Sequence, residues 1–250
     1  MELRVLGCWA PYPAPGGAMS GYLVQHGRTA ILLDGGSGVA ARVQQYVPIE
    51  SLRAVVISHL HEDHISDVHC LRFIQLAAIQ AGRTKERLQI WAPAEPVERR
   101  AWIASGEVAE NWQDLRTYDP SRPLILGDLR VDLFPTTHAI PTWAMRIQPV
   151  EGGPVLFYGA DTGWDESLIE AARGADLLLA EASLDEAHAN MRWLGHLTAM
   201  EAARWGKEAG VKRCVLTHIH PTMDRVQLLK EAQSVLPTAE LVQQDGLYVL

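Results

Sequence analysis

The chain has 250 residues, 48% of them hydrophobic, and no low-complexity tract, which is enough for a substantial core. No apolar run approaches the roughly 18 to 20 residues that span a bilayer. A formal net charge of −8 argues against a broad nucleic-acid footprint, though bound cations would invert the local charge for a small phosphate-bearing substrate.

Leu3 to Leu6 reads as a strand, and Met1 to Gly7 lacks the basic and long apolar segments of a signal peptide, so the expected location is the cytoplasm. Pro11 to Gly21 holds three Pro and three Gly and is a loop. Tyr22 to Val24 and Ala30 to Leu33 read as strands joined around Gly27, with His26 a surface turn residue. Asp34 ends the second strand, either as a plain Asp-Gly turn or as a carboxylate orienting a metal ligand from behind. A helix from about Val39 to Tyr46 leads to the β-branched run Ala54 to Ile57, a buried strand. Beyond His64, helical spacing runs through Val68, Leu71, Ile74, Gln75 and Ala78 until Gly82 stops it. His69 and Cys70 in this helix read as packing or surface residues. Cys8, Cys70 and Cys214 are few and scattered, which suits reduced thiols.

Leu88 to Trp91 reads as a strand and Glu95 to Ala104 as a helix. Gly106 to Arg122 is polar and unassigned, leaving a lid, a dimer contact or plain surface as readings; a homodimer therefore stays open. Leu129 to Phe134 alternates as a half-buried strand and delivers Thr136-Thr137-His138. Trp143 to Val150 and Pro154 to Tyr158 pair around Glu151-Gly152-Gly153, and the second delivers Asp161. Helix Glu166 to Arg173 and strand Asp176 to Ala180 bring Glu181 to a similar place. Gly195-His196-Leu197-Thr198 precedes a helix to about Glu208 that Thr198 or a neighbour caps. Strand Arg213 to Thr217 places His218, followed by His220; a helix from Asp224 to Val235 and strands Glu240 to Gln243 and Leu247 to Val249 close the chain. No linker or repeat marks a boundary, so residues 1–250 read as one α/β domain, two mainly β layers covered by helices.

The chemistry concentrates in Ser58-His59-Leu60-His61-Glu62-Asp63-His64, at the carboxyl end of a strand. Side chains alternate along an extended chain, so His59 and His61 point to one side and can close on a single metal ion. Asp63 and His64 turn toward a second position nearby. Zinc, manganese and iron all accept imidazole and carboxylate ligands. Apolar strands also end at His138, Asp161 and His218, with Glu181 a weaker fifth. Sites in such sheets gather at the carboxyl ends of the strands, so a common site is the economical explanation.

On these residues the chain resembles the metallo-β-lactamase superfamily. Its His-x-His-x-Asp-His motif is matched by His59, His61, Asp63 and His64, and its later His, Asp and His by His138, Asp161 and His218. The resemblance implies a four-layer αββα sandwich with two divalent ions at its edge, zinc before manganese or iron. It places His59, His61 and His138 on one ion, Asp63, His64 and His218 on the other, and Asp161 across both. Two such ions can share a hydroxide and clamp substrate oxygens, with Asp63 set to orient it or take its proton. Gly195-His196-Leu197-Thr198 is similar to the element that places a histidine beside the scissile phosphate in RNase Z and related phosphodiesterases. His196 is thus expected to stabilise charge or protonate the leaving oxygen, a helix-cap or surface role being the other reading. Only 23 positions separate His138 from Asp161, without room for the long arm that tRNA-processing members insert. The expected activity is hydrolysis of small or cyclic nucleotide-type phosphodiesters, with no membrane partner and no extended nucleic-acid binding expected. The alternatives are a tRNA 3′-end endonuclease and a thioesterase or lactonase. Trp9, Tyr12, Trp143, Trp164 and Trp193 flank the site loops, read mostly as packing, while His188 and His220 either back the site or lie on the surface.

Overall fold

Short β-branched and leucine-rich runs pair into two mixed sheets in the computed structural model, which describes residues 1–106 and 113–250. The first sheet is built from β1 (Glu2–Gly7), β2 (Gly21–His26), β3 (Thr29–Leu33), β4 (Ala54–Val56), β5 (Leu88–Ala92) and β6 (Gln113–Thr117). The second contains β7 (Leu124–Leu126), β8 (Leu129–Pro135), β9 (Trp143–Pro149), β10 (Leu156–Tyr158), β11 (Leu177–Glu181), β12 (Arg213–Thr217) and β13 (Glu240–Leu241). The last strand, β14 (Leu247–Val249), returns to pair with β1, giving the orders β14-β1-β2-β3-β4-β5-β6 and β13-β12-β11-β10-β9-β8-β7.

Two-residue alternation sorts the side chains of both sheets. Ala54 and Val56 of β4 enter the core between the sheets, whereas Val55 and Ile57 enter the core beneath the helices. In β11, Leu177 and Leu179 face the other sheet, and Leu178 and Ala180 face outward. Strands buried on both faces need helical cover. Helices α1 (Val39–Val43), α2 (Glu62–Ile65), α3 (Val68–Gln80) and α4 (Val97–Ala104) belong to the first half of the chain, and Val39, Val43, Val68, Leu71 and Ile103 pack on the first sheet. Helices α5 (Glu166–Ala172), α6 (Ala199–Ala209) and α7 (Arg225–Val235) cover the second through Leu168, Ala202, Trp205 and Leu228. The result is the expected αββα sandwich.

Strand direction decides where the site can form. β3 and β4 run parallel, as do β10, β11 and β12. β8 opposes β9, which opposes β10, so β8 ends at the same edge as β10 to β12.

Several boundaries differ from the sequence reading. α1 stops at Val43 rather than Tyr46, and α4 starts after Pro96, whose extended backbone lies outside the helix. Within the unassigned polar stretch, Gln113–Thr117 is a strand pairing in parallel with β5 at the sheet edge. Residues 107–112 of that stretch lie outside the described residues. Among the described residues, no helix is long and apolar enough to cross a membrane.

The turn after β3 lies tight against the metal-type loop: Gly35 N donates to His64 O (2.7 Å) and Gly36 N to Ser20 O (2.9 Å). A Cβ on Gly36 would sit 2.1 Å from the Asp63 carbonyl oxygen and 2.7 Å from Met19 Cβ. Gly36→Ala is therefore expected to destabilise the fold by about 1–3 kcal/mol, read from urea unfolding; an unchanged midpoint would show that α2 moves freely.

Candidate metal centre

Four strand ends and one helix start supply the cluster. His59 follows β4, and His61 sits extended (φ −74°, ψ 151°) as the residue before α2, whose first turn carries Asp63 and His64. His138 follows β8, Asp161 follows β10, and His218 directly follows β12. Asp34, Ala160 and His218 adopt left-handed backbone (φ 57°, 51° and 58°), a costly conformation without glycine that turns each chain sharply at its strand end.

One group of ligand atoms has a common focus. His61 Nδ1 lies 3.0 Å from His59 Nε2 and 3.1 Å from His138 Nε2. Asp161 Oδ2 stands 3.5 Å from His59 Nε2 and 3.8 Å from His138 Nε2. The other carboxylate oxygen, Asp161 Oδ1, faces a second group, 3.3 Å from His64 Nε2 and 3.1 Å from His218 Nε2. Asp63 Oδ2 completes it, 3.3 Å from His218 Nε2. Asp161 Oδ1 is buried with no hydrogen-bond partner among the described residues. An orphaned carboxylate oxygen amid imidazole nitrogens suits a divalent cation, and a carboxylate facing two such groups suits two. The cluster thus fits divalent metal ions.

Most of the imidazoles are oriented through the nitrogen that faces away from the focus. His64 Nδ1 donates to Asp34 Oδ2 (2.8 Å), and His59 Nδ1 to Ser58 Oγ (3.0 Å), which donates to Asp34 Oδ2 (2.8 Å). On the second sheet, His218 Nδ1 donates to Ser183 Oγ (2.9 Å), which donates to Glu181 Oε2 (2.9 Å). His138 Nδ1 donates to the carbonyl of Gly195 (3.0 Å). These bonds leave each Nε2 free as a ligand atom. His61 is the exception and presents Nδ1.

The next residue after Gly195 is His196, whose Nδ1 donates to Glu181 Oε1 at 2.7 Å. Its ring lies 5.1 Å from that of His138 and 5.6 Å from that of His218. Burial works against its charged form, but Glu181 outweighs this and raises its pKa to about 9. Burial and neighbouring imidazoles lower His61 to about 4, and burial drives His59 and His138 down as well, so all three favour the neutral form that binds metal. His64 moves the other way: burial opposes its charge, yet Asp161, Asp63 and Asp34 surround it and raise it well above the usual range. Asp63 is buried, which alone would raise it, but His64 and His218 hold it at about 2.

All seven motif residues and His196 converge. Glu181 is not a ligand of either group, contrary to its reading as a weaker fifth; it backs His218 and His196 instead. Asp34 takes the orienting role and not that of a plain turn. The roles of Ser58, Ser183 and the Gly195 carbonyl carry no signal of their own in the sequence, although Ser58 directly precedes His59 and Ser183 lies two positions after Glu181. His188 and His220 line the cleft in front of the cluster, whereas His69 bonds the carbonyl of Trp102 away from it. Tyr12 packs edge-on against His220, Trp143 against Tyr118, and Trp164 beneath Arg204, while Trp193 is 80% exposed.

A family model described as the Beta-lactamase superfamily domain matches residues 29–219. The chain belongs to the metallo-β-lactamase superfamily. Within it, the chain is 34% identical over 235 residues to the probable metallo-hydrolase YhfI of Bacillus subtilis, covering 94% of this chain and 93% of the relative. The crystal structure of YhfI superposes with a TM-score of 0.91 at 30% identity, covering 99% of this chain and 98% of that one. Ribonuclease Z of Methanopyrus kandleri is 29% identical over 282 aligned positions, covering 100% of this chain and 97% of the relative. A diphosphatase of the PhnP family shares the fold, with a TM-score of 0.76 at 16% identity over 100% of this chain and 97% of that one. A superfamily hydrolase of this kind depends on how firmly its ligands are held. Asp34→Asn keeps the shape and tolerates the left-handed backbone but cannot accept all four hydrogen bonds. It is expected to weaken metal affinity by about 10–100-fold, measured by chelator competition, and unchanged affinity would remove Asp34 from that role.

Proposed function

We infer that the chain is a dinuclear metal-dependent phosphodiesterase acting on small or cyclic nucleotide-type phosphodiesters. In this reading His59, His61 and His138 hold one ion, Asp63, His64 and His218 the other, and Asp161 both, with zinc the first choice. When bound, the ions supply positive charge for phosphoryl oxygens and make water more acidic.

His196 carries the reading. It stands beside the cluster with one nitrogen anchored on a buried carboxylate, so the other is available to a substrate oxygen. A raised pKa keeps it cationic near neutrality, where it can stabilise phosphoryl charge and protonate a departing alkoxide. Asp63, with its depressed pKa, stays anionic and suits orienting a water better than storing its proton. A thiolate, by contrast, leaves readily as an anion, so a thioesterase has little use for His196.

The ribonuclease Z likeness favours a second reading, cleavage of precursor tRNA. That alignment runs over 282 positions against 250 residues here, so the relative carries segments with no counterpart in this acidic chain. The small-substrate reading accommodates both facts.

With added zinc or manganese, purified protein should turn over bis-p-nitrophenyl phosphate and a cyclic nucleotide. No turnover of either would defeat the reading, and cleavage of precursor tRNA alone would favour the second. His196→Ala should lower kcat on the cyclic nucleotide by roughly 10²-fold at constant metal content. The fall should be smaller on the p-nitrophenyl ester, whose leaving group departs without a proton; equal falls would rule out the acid role. Asp161→Ala should deplete both ions in elemental analysis, and an unchanged metal-to-protein ratio would refute the bridging assignment.

A further inference from the structure

A cleft of about 510 Å³ opens in front of Asp63, Asp161, His196 and His218. Its size suits one compact organic group. Among the described residues that line it, none is lysine or arginine, while Glu62 adds a carboxylate to those of the cluster. Away from the metal-type groups the wall is largely apolar or imidazole, with the hydroxyl residues Ser183 and Thr222. Met191 comes from a 3-10 segment (Glu186–Leu194), and Met223 from the turn after His220, whose carbonyl accepts the Met223 amide (2.9 Å). The two remaining imidazoles, His188 and His220, line the cleft as well. His220 Nδ1 accepts from Thr222 Oγ1 (2.8 Å), and His188 Nδ1 donates to Asp185 Oδ1 (2.6 Å), so each ring is oriented through one nitrogen.

Methionine sulfur and methyl groups make favourable, adaptable contacts with flat π systems. A second phosphate in the same recess would meet no lysine or arginine side chain, only imidazole and hydroxyl donors, with Glu62, itself paired to Arg99 (2.9 Å), adding a carboxylate; burying a dianion against neutral donors alone is costly. We propose that this recess selects phosphodiesters bearing a single charge, whose uncharged flat group, aryl or nucleobase, lies between Met191 and Met223, and that it discriminates against a second phosphate. Selection here works by withholding cations as much as by offering apolar contact. The inference rests on the phosphodiesterase reading.

The test compares the p-nitrophenyl ester of thymidine 5′-monophosphate with the same ester carrying a 3′-phosphate, using metal-loaded enzyme. In both, water adds to phosphorus and p-nitrophenolate leaves, so only the remote charge differs. The first should be preferred in kcat/KM by at least about tenfold, mainly through KM. Met191→Lys and Met223→Lys, made separately, should each shrink that preference by about fivefold or more, an effect that added salt weakens. Met191 sits in a segment with no buried residue, so its replacement leaves the core intact. Equal kcat/KM values in the unaltered protein, or a preference untouched by both lysines, would overturn the proposal. If bis-p-nitrophenyl phosphate is hydrolysed while the preference is missing, only the selectivity fails; if no diester is hydrolysed, the underlying reading fails with it.

Discussion

A carboxylate with no exposure must be fully paired, and Asp34 is paired four times. Its oxygens accept from the Ser58 amide (2.7 Å), the Ser58 hydroxyl (2.8 Å), His64 Nδ1 (2.8 Å) and the Tyr158 hydroxyl (2.6 Å). These partners come from the loop after β4, from α2, and from β10 of the opposite sheet. Tyr22 adds a second tie across the core, bonding Thr217 Oγ1 (2.7 Å) beside His218. A centre assembled half from each sheet needs the two sheets held to within a fraction of an ångström. Directional bonds between buried polar groups achieve this where apolar contact alone would allow slippage, because their loss leaves an unsatisfied charge.

The same burial sets the electrostatics. Asp34 and Asp161 are buried, Asp63 nearly so, and they draw His64 toward the protonated state while His59, His61 and His138 are pushed out of it. A histidine proton and a metal cation meet one need, positive charge among carboxylates. The protein thus holds its donor set under opposing pressures that divalent ions relieve, and ion binding adds to the stability of the native state.

The candidate ligand set was legible because His59, His138, Asp161 and His218 follow apolar strands, His61, Asp63 and His64 continue the first of these loops, and chain direction carries the strand ends to one edge. Element types were legible for the same reason, since period-two runs such as Leu129 to Phe134 and helical runs such as Val68 to Ala78 bury continuous faces. What escaped lacks periodicity. Gln113–Thr117 is a polar edge strand, fixed by pairing with β5 and not by its own composition. The segment Glu186–Leu194 buries no residue and so leaves no apolar trace. For the carboxylates Asp34 and Glu181 the sequence left the role open between turn and orienting group or suggested a ligand instead, because a hydrogen bond to Nδ1 depends on side-chain direction and not on spacing.

This division separates chemistry from selectivity within one molecule. The metal-type residues and their backing carboxylates stand on strand ends pinned across two sheets, whereas the recess in front of them is shaped by Glu186–Leu194 and the turn from His220 to Met223. Loops tolerate replacement that strand ends cannot, because a strand-end shift displaces several ligands at once while a loop change alters one wall. A protein only 16% identical shares the fold at a TM-score of 0.76, so the sandwich itself tolerates extensive change of sequence. The recess, lined by no lysine or arginine among the described residues, is the part of the site on which the proposed selectivity rests.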